Sequence, residues 1–355
     1  MGKIKKALIT GITGQDGSYL AEFLLNKKYR VHGFVRRVAL EDEAHRLWRI
    51  RHIKKKVNLH SASLESYASI VKIIQKIKPD ELYHLGAQSF VSYSIEDEFS
   101  TINTNINGTH YVLSAIKDFS PKTKFYFAGS SEMFGKVQQV PQNEKTPFYP
   151  RSAYGISKVT GHDLTRNYRE AYNLFCCTGI LFNHESPRRG FEFVTRKISH
   201  GVAKIKLGME KKLMLGNLDA KRDWGHAKDY VELQWRILQQ EKPEDFVIST
   251  GRQESVRNFI ELSAKKLGWG GINWEGSGLK EVGRRCDTNK VVVKVDKRYF
   301  RPSEVDSLLG DSTKARKKLG WEPTITLEEL VSEMIENDQE IALQKSILKQ
   351  HGFKI

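Results

Sequence analysis

The sequence predicts an α/β fold, in which a doubly wound parallel sheet is followed by a smaller, interleaved mixed α/β lobe toward the C-terminus. Strand-like apolar runs alternate with amphipathic, helix-like segments over residues 6–181, and after about residue 183 this alternation breaks up into loops rich in Arg, Gly and Pro. Strands that alternate with helices are joined by crossover connections and therefore pair in parallel. With 355 residues, the chain is long enough for about two lobes.

The first unit of the pattern is a strand, a glycine turn, an amphipathic helix and a second strand. Ala7–Thr10 is an apolar run, Ser18–Asn26 repeats apolar residues at helical spacing, and Tyr29–Val35 is again strand-like. The order of these segments predicts a βαβ unit of Rossmann type.

The same alternation continues to residue 181. The predicted elements are the strand Val57–His60, the helix Leu64–Lys78, the strand Glu81–Leu85 after Pro79-Asp80, the helix Thr101–Lys117, the strand Lys124–Ala128, the helix Tyr154–Tyr172 and the strand Phe175–Leu181. Beyond them we predict the helix Ala227–Gln240, the strand Phe246–Ser249 and amphipathic helices within 323–349, for which core packing and oligomerisation are both open. The predicted division is a first domain over 1–182, to which about 218–250 return, and a second lobe over 183–217 and 251–355.

Composition and charge exclude several classes of protein. The net charge of +16 is compatible with nucleic acid, an anionic membrane or a polyanionic small molecule, but Lys and Arg are spread along the whole chain and no aromatic-basic RNA motif occurs. No stretch approaches the roughly 20 apolar residues that span a bilayer. We therefore expect no nucleic-acid partner and no membrane span.

Cysteine usage and the N-terminus complete these exclusions. The three cysteines, Cys176, Cys177 and Cys286, have no metal or redox spacing, so no metal site is predicted. The first residues run directly into a strand and lack the apolar core of a signal peptide. A cytoplasmic location is the expectation.

The glycine turn predicts a dinucleotide site. Gly11, Gly14 and Gly17 have GxxGxxG spacing directly after a strand and at the start of a helix, in the run Gly11-Ile12-Thr13-Gly14-Gln15-Asp16-Gly17. Glycines permit a tight turn and close approach of the backbone to a pyrophosphate, which the N–H groups of the following helix then bind. The residues Thr13, Gln15 and Asp16 of this loop belong to the predicted cofactor site.

The second strand indicates which dinucleotide binds. It ends in Arg36-Arg37, where an NAD site would carry an acidic residue for the ribose hydroxyls, and arginine instead suits the additional phosphate of NADP. NADP is therefore predicted and NAD is the less favoured alternative, with Glu41, Asp42 and Glu43 as acidic residues close by. The end of the fourth strand carries further predicted cofactor residues, because such a sheet lines its cofactor crevice there. They are Leu85, Ala87, Gln88 and Ser89.

A catalytic set is predicted at the end of the next strand and on the helix that follows. Tyr154 and Lys158 are spaced i, i+4, so the ammonium group lies on the same helix face as the phenol and favours the phenolate form. Tyr154 is thus a candidate base toward a substrate hydroxyl, with Ser130 at the strand end as its hydrogen-bonding partner. Glu132 adds a second acid/base group, which suits an elimination step rather than hydride exchange alone.

Longer runs of sequence carry a specific resemblance. They are Ser130-Ser131-Glu132, Thr146–Tyr154, Leu181–Gly190, Val194–Lys197, Arg222–His226 and Arg298–Val305, in addition to the glycine loop. Together they resemble the GDP-mannose 4,6-dehydratases, a family of extended short-chain dehydrogenases/reductases, over nearly the whole chain. The resemblance implies a lyase with bound NADP, a GDP-sugar substrate and a homodimer or homotetramer.

The resemblance also assigns residues. Ser130, Glu132, Tyr154 and Lys158 match the family's catalytic hydroxyl, Glu, Tyr and Lys, with Ser where Thr is common. The implied substrate residues are Ser89, Ser130, Glu132, Asn183, Arg196, Lys197, Arg222, Arg301 and Glu304. The implied cofactor residues outside the loops already named are Ser63, Leu64, His184 and Arg189, besides Tyr154 and Lys158.

Two departures from the family pattern leave alternatives open. The loop after Arg37 lacks the Ser-rich, Asn-containing segment that contacts a neighbouring subunit's cofactor in relatives, and Ala62-Ser63-Leu64 stands where the family has Gly-Asp-Leu near the adenine. A GDP-heptose is therefore an alternative substrate. A nucleotide-sugar reductase or epimerase, or a non-catalytic NADP-binding protein, are further alternatives.

Overall fold

The computed structural model describes residues 3–299 and 307–353. Its β-strands, in chain order, are β1 (Lys6–Thr10), β2 (Arg30–Val35), β3 (Asn58–Ser61), β4 (Glu81–His84), β5 (Lys124–Ala128), β6 (Cys176–Leu181), β7 (His184–Glu185), β8 (Leu213–Leu215), β9 (Lys221–Arg222), β10 (Gly225–His226), β11 (Phe246–Ile248), β12 (Glu254–Ser255), β13 (Ile272–Glu275), β14 (Val282–Arg285) and β15 (Val291–Val295).

The α-helices follow the same order. They are α1 (Gln15–Asn26), α2 (Arg37–Glu41), α3 (Glu43–Arg46), α4 (Tyr67–Ile77), α5 (Tyr93–Glu96), α6 (Glu98–Ile102), α7 (Gly108–Phe119), α8 (Ala153–Tyr172), α9 (Val194–Lys206), α10 (Ala227–Leu238), α11 (Val256–Lys266), α12 (Thr313–Leu319) and α13 (Leu327–Gln350). A 3-10 helix covers Trp48–Lys56, and a π-helical turn over Asn103–Asn107 joins α6 to α7.

The first unit is built on a seven-stranded parallel sheet. It comprises the chain through Phe182 together with Ala227–Gly251 and Gly310–Pro323. The strand order is β11-β6-β5-β4-β1-β2-β3, and every pairing in it is parallel. Strands buried on both faces require apolar residues throughout, which Ala7-Leu8-Ile9 and Phe125-Tyr126-Phe127 supply. The predicted doubly wound sheet is confirmed.

Two apolar clusters cover the faces of this sheet. One contains β-strand residues with α1, α10 and α12, and the other contains strand residues with α4 and α7. Helix ends are fixed locally: the Ser152 hydroxyl accepts a hydrogen bond from the Gly155 amide at 3.0 Å and caps α8, and Asn173 ends it with φ of 52°. Both ends of α8 are therefore defined by local structure.

The second unit is smaller and mixed, as predicted. It comprises Asn183–His226, Arg252–Leu309 and the chain from Thr324 onward. Its main sheet has the order β13-β14-β15-β8, with antiparallel pairs except β15 with β8, and its core contains residues of α9, α11 and α13.

The boundaries differ from those predicted. The structure returns the chain to the first unit at Ala227 rather than at about 218, because β9 and β10 pair with β12 and β7 in the second unit. It also places Gly310–Pro323 in the first unit, where Leu319 and Trp321 join the core beside α10. Within 323–349 one long helix, α13, forms instead of several, and Leu330, Met334 and Ile335 lie in the core. Among the described residues, no helix is both long and apolar enough to cross a bilayer.

Candidate active site

The glycine loop leaves the central strand β1 and turns into α1. Gly11 has φ of 74°, and a Cβ there would lie 2.8 Å from the Gly86 amide nitrogen after β4. A Cβ on Gly17 would lie 2.2 Å from the Gly11 carbonyl oxygen. Both positions therefore require glycine for packing, and α1 begins after Gly14, an N-cap residue without a side chain.

The other predicted loop residues surround this turn. Gln15 is buried, and Asp16 accepts a hydrogen bond from Gln234 of α10 at 3.0 Å. The Arg49 guanidinium donates to the Thr13 carbonyl at 3.3 Å, a contact the sequence did not indicate. The loop is thus held on both sides by polar side chains.

The segment after β4 approaches the glycine loop from the next strand. The Gln88 backbone N–H donates to Asn105 Oδ1 at 2.8 Å, and Asn105 Nδ2 donates back to the Gln88 backbone carbonyl at 2.9 Å. Gln88 Oε1 is buried and accepts no hydrogen bond from any described residue. Leu85 and Ala87 are half-buried and Ser89 is exposed.

Arg36 and Arg37 follow β2 and are both exposed. They differ in their partners: Arg37 Nε donates to Glu41 Oε1 at 2.9 Å within α2, whereas Arg36 precedes that helix. Ser63 and Leu64 follow β3. The Leu64 side chain packs against two backbone positions without Cβ atoms, Gly86 and Gly108.

Ser130 and Glu132 lie just beyond β5. The Ser130 hydroxyl accepts a hydrogen bond from the Glu132 amide at 3.2 Å and caps a short 3-10 helix over Ser131–Met133. A Cβ on Gly155 would lie 2.8 Å from the Glu132 carbonyl oxygen, so glycine there lets α8 approach this turn closely. The Ser130-Glu132 turn and the start of α8 are therefore in contact.

Tyr154 and Lys158 lie on the buried side of α8 with 8% and 5% exposure. Lys158 Nζ is 5.7 Å from the centre of the Tyr154 ring and donates to the Ala128 carbonyl, at the end of β5, at 2.7 Å. Burial lowers the pKa of Lys158 to about 8, and Asp16 of the glycine loop opposes this shift. All four predicted catalytic residues therefore come from two adjoining segments. The negative charge of Asp16 in the glycine loop also acts on Lys158.

A nicotinamide dinucleotide, which the resemblance implies, fits these residues. Gly14, the N-cap of α1, has no side chain to occupy this helix N-terminus, and Gln88 offers a buried acceptor that no described residue uses. A helix N-terminus stabilises a negatively charged group, and a hydroxyl donor would pair with Gln88.

The second unit contains the remaining residues that are predicted to contact the substrate or the cofactor. Asn183 Oδ1 is buried and accepts no hydrogen bond from any described residue. His184 is buried in β7, and Arg189 Nε is 3.0 Å from Glu185 Oε2. Arg222 is buried in β9, where Nη1 donates to the Lys221 carbonyl at 2.9 Å. Arg301 and Glu304 lie outside the described residues.

Arg196 and Lys197 are neighbours on α9 with different surroundings. Arg196 is fully buried and pairs with Asp338 of α13 at 2.7 Å, so its charge is already neutralised in the core of the second unit. Lys197 is half-buried, and its Nζ lies 3.1 Å from the centre of the Tyr299 ring. Burial lowers the pKa of Lys197.

Sequence reasoning missed the buried polar residues behind the site. Besides Asn105 they include Ser157, whose hydroxyl accepts from Asn105 Nδ2 at 3.0 Å and donates to the Tyr154 carbonyl at 2.7 Å. The signal available was a run of three asparagines, Asn103, Asn105 and Asn107, within an otherwise helical pattern. A π-helical turn inside a helix frequently marks a functional site.

Known proteins match this chain over nearly its full length. The family described as GDP-mannose 4,6 dehydratase matches residues 8–334. The GDP-mannose 4,6-dehydratase of Yersinia enterocolitica is 49% identical, over 99% of this chain and 98% of its own. The human GDP-mannose 4,6 dehydratase is 53% identical, over 96% of this chain and 93% of its own.

Solved structures share the fold at lower identity. RMD from Pseudomonas aeruginosa, complexed with NADPH, superposes with a TM-score of 0.76 at 20% identity, over 95% of this chain and 99% of its own. The dTDP-glucose 4,6-dehydratase of Bacillus anthracis, in complex with NAD, has a TM-score of 0.76 at 18% identity, over 95% and 97%. At these identities the likeness concerns the fold alone.

Proposed function

The chain belongs to the GDP-mannose 4,6-dehydratase family, and from this membership we propose that it is a lyase that removes water from GDP-D-mannose to form GDP-4-keto-6-deoxy-D-mannose. The observation that carries the proposal is the contact between the Ser130-Glu132 turn and the helix of Tyr154 and Lys158. Both relatives are named for GDP-mannose, which favours the hexose over a GDP-heptose.

Each catalytic side chain has a distinct role in this proposal. Tyr154 removes the proton of the C4 hydroxyl, and the Ser130 hydroxyl holds the same oxygen. Lys158 stabilises the phenolate through its charge. The C4 ketone acidifies the C5 proton, which Glu132 removes, and the same carboxyl group protonates the departing C6 hydroxyl. A bound NADP would supply the hydride acceptor for C4 and the hydride donor for C6, with C5 taking up a proton in the second transfer.

We propose NADP rather than NAD as that cofactor. A nicotinamide cofactor is supported by structural neighbours that carry NADPH or NAD, and the choice between them rests on Arg36 and Arg37. An exposed arginine is suited to a ribose phosphate, for which NAD has no counterpart. Gly11, Gly14 and Gly17 would accommodate the pyrophosphate beside the N-terminus of α1.

The second unit supplies the proposed contacts to the GDP-sugar. Lys197 and Arg222 are the cationic candidates for its diphosphate, and Asn183 offers a buried amide oxygen that needs a donor. We place Arg196 behind this set, since Asp338 already neutralises its charge.

We propose that the protein assembles as a homodimer or homotetramer through the first unit. Phe99 of α6 is 80% exposed, and Ile95, Ile102 and Ile156 are also exposed large apolar side chains close to it in sequence or on α8, which packs against α6. Phe99→Glu should shift the sedimentation of the protein toward the monomer, whereas Leu343→Glu on α13 is the control. An unchanged assembly in Phe99→Glu would contradict this interface.

The activity is tested by incubating the purified protein with GDP-mannose and, separately, with a GDP-heptose, without added cofactor. Mass spectrometry should detect the loss of one water from GDP-mannose. Loss only from the heptose would change the substrate and keep the mechanism. Consumption of added NADPH without water loss would favour a reductase, and no turnover despite tight NADP binding would favour a non-catalytic protein.

A further inference from the structure

His84 is a buried imidazole at the end of β4 that the proposed reaction does not use. It is 2% exposed and stacks against Phe125 and Phe127 of the neighbouring strand β5. Its two ring nitrogens contact two threonine hydroxyls: Nδ1 is 2.9 Å from Thr10 Oγ1 and Nε2 is 3.2 Å from Thr109 Oγ1. The ring therefore connects the end of β1 to α7.

The neighbouring hydrogen bonds fix the direction of both contacts. Thr10 Oγ1 accepts from the Gly86 amide at 3.0 Å, so its own proton is available to His84 Nδ1. The Thr109 hydroxyl donates to the Asn105 carbonyl at 2.7 Å, so it accepts from His84 Nε2. This arrangement requires a neutral imidazole with its proton on Nε2.

Electrostatics favour that neutral form. Burial and the charge of Lys158 lower the pKa of His84 to about 3. The residues that contact the ring from β1, β5 and α7 are uncharged: Thr10, Phe125, Phe127 and Thr109. The donor on Nε2 consequently keeps its direction at any pH at which an enzyme assay is run.

Asn105 passes the connection on to the active site. Its carbonyl receives the Thr109 hydroxyl, while its side-chain amide is bonded both ways to the Gln88 backbone and also to Ser157. Ser157 in turn donates to the Tyr154 carbonyl. The π-helical turn at Asn103–Asn107 thus lies between His84 and two predicted parts of the site, the Gln88 segment and the helix of Tyr154.

We propose that His84 is a positioning residue for the dehydration: by donating to Thr109 it holds Asn105 in the π-helical turn and thereby fixes the Gln88 segment relative to Tyr154. It acts through these residues and touches no reacting atom. The inference rests on the proposed function for its kinetic consequence only. A small displacement of a catalytic group lowers the rate of a step strongly while changing substrate affinity little.

Matched substitutions at both ends of the connection test this. His84→Gln can retain a donor toward Thr109, whereas His84→Phe keeps the aromatic stacking and removes the donor. Thr109→Ser keeps the hydroxyl, and Thr109→Val removes it at nearly constant volume. We expect His84→Phe and Thr109→Val to lower kcat for GDP-mannose about tenfold or more with KM within about twofold, and the two polar variants to stay close to the parent.

A second readout does not depend on activity. The Gln88 amide donates to Asn105, so hydrogen exchange in the peptide around Gln88 should become faster in His84→Phe and Thr109→Val, and stay at the parent rate in His84→Gln and Thr109→Ser. Equal loss of kcat in both members of a pair, or parental kcat and exchange in a folded Thr109→Val, would overturn the proposal. If His84→Phe does not fold, the Thr109 pair decides. If the parent has no dehydratase activity, the exchange rates decide.

Discussion

Asp338 Oδ1 lies 2.7 Å from Arg196 Nη2 in the second unit, and both side chains are inaccessible to solvent. Arg196 Nε also donates to Asp338 Oδ1 at 3.0 Å, and the Ser199 hydroxyl donates to Oδ2 at 2.5 Å. A buried carboxylate with three such contacts, from two residues of α9, joins that helix to α13. The arrangement explains why Arg196 lies in the core while the next residue, Lys197, faces Tyr299.

Breaking this pair should destabilise the second unit. Asp338→Leu leaves the Arg196 charge buried without its counterion, which costs about 3–5 kcal/mol. The double variant Arg196→Met/Asp338→Leu buries no charge and should be more stable than Asp338→Leu alone. Chemical unfolding of the three proteins measures this. A double variant that is no more stable than the single one would show that the pair does not act as a unit.

The two arginines after β2 should contribute unequally to the choice of cofactor. Glu41 already engages Arg37, while Arg36 precedes α2. Arg36→Ala should therefore weaken NADP binding roughly tenfold or more, the equivalent of one charged hydrogen bond. The affinity for NAD should change little. Titration of nucleotide-free protein measures both affinities.

Arg37→Ala is the matched control for this substitution. It should reduce NADP affinity less than Arg36→Ala does, because it removes a side chain that is partly neutralised. A parallel loss of NADP and NAD affinity in Arg36→Ala would contradict a role in phosphate recognition.

Patterns of short range predicted the first unit well. The strand Lys124–Ala128 was predicted with its exact limits, and the glycine turn was correctly predicted directly after β1, because alternation and glycine spacing act within a few residues. The helix after it begins at Gln15 rather than at the predicted Ser18. The predicted catalytic residues lie just beyond the end of β5 and on α8, at the carboxyl edge of the sheet where such folds place their active sites.

Features that depend on distant partners were not predicted. Arg196 and Lys197 are neighbours in the sequence and both are basic. Only the pairing with Asp338, far along the chain, distinguishes Arg196 as the one in the core. The return of Gly310–Pro323 to the first unit depends on where Trp321 packs, against Tyr230 of α10. Asn105 was absent from the predicted site because a helical period does not distinguish an α-turn from a π-turn.

Lys158 should give the reaction an alkaline limit. Its pKa is lowered to about 8, so the side chain is charged below that pH and neutral above it. A neutral amine does not stabilise the Tyr154 phenolate, and kcat/KM should therefore fall as the pH rises through about 8. The pH profile of the parent measures this, and a rate that stays constant to pH 10 would contradict it.

The same lysine should oppose folding at neutral pH. In the unfolded chain its pKa is near the ordinary value of 10.5, so between pH 8 and 10.5 the unfolded state binds more protons and stability rises with pH. Lys158→Met removes the buried charge, worth up to about 3 kcal/mol by this shift. It should unfold at a higher temperature than the parent at pH 7, and this advantage should shrink toward pH 10, while activity is lost. An advantage that is independent of pH would show that the charge is not its origin.

Glu132 should separate the oxidation of C4 from the loss of water. The Ser130-Glu132 turn contacts α8 through the Glu132 backbone, and Glu132→Gln leaves that backbone and the side-chain volume unchanged. The amide cannot remove the C5 proton, whereas Tyr154, Lys158 and Ser130 remain to take the C4 hydroxyl proton, and a bound nicotinamide would accept the C4 hydride. We expect dehydration to fall by a factor of about 10²–10⁴, with reduced nicotinamide accumulating on the protein when GDP-mannose is added. Tyr154→Phe is the control, because it should abolish both the reduced nicotinamide and the dehydration. Absorbance and mass spectrometry of the same samples measure the two steps, and full turnover in Glu132→Gln would assign the elimination to another group.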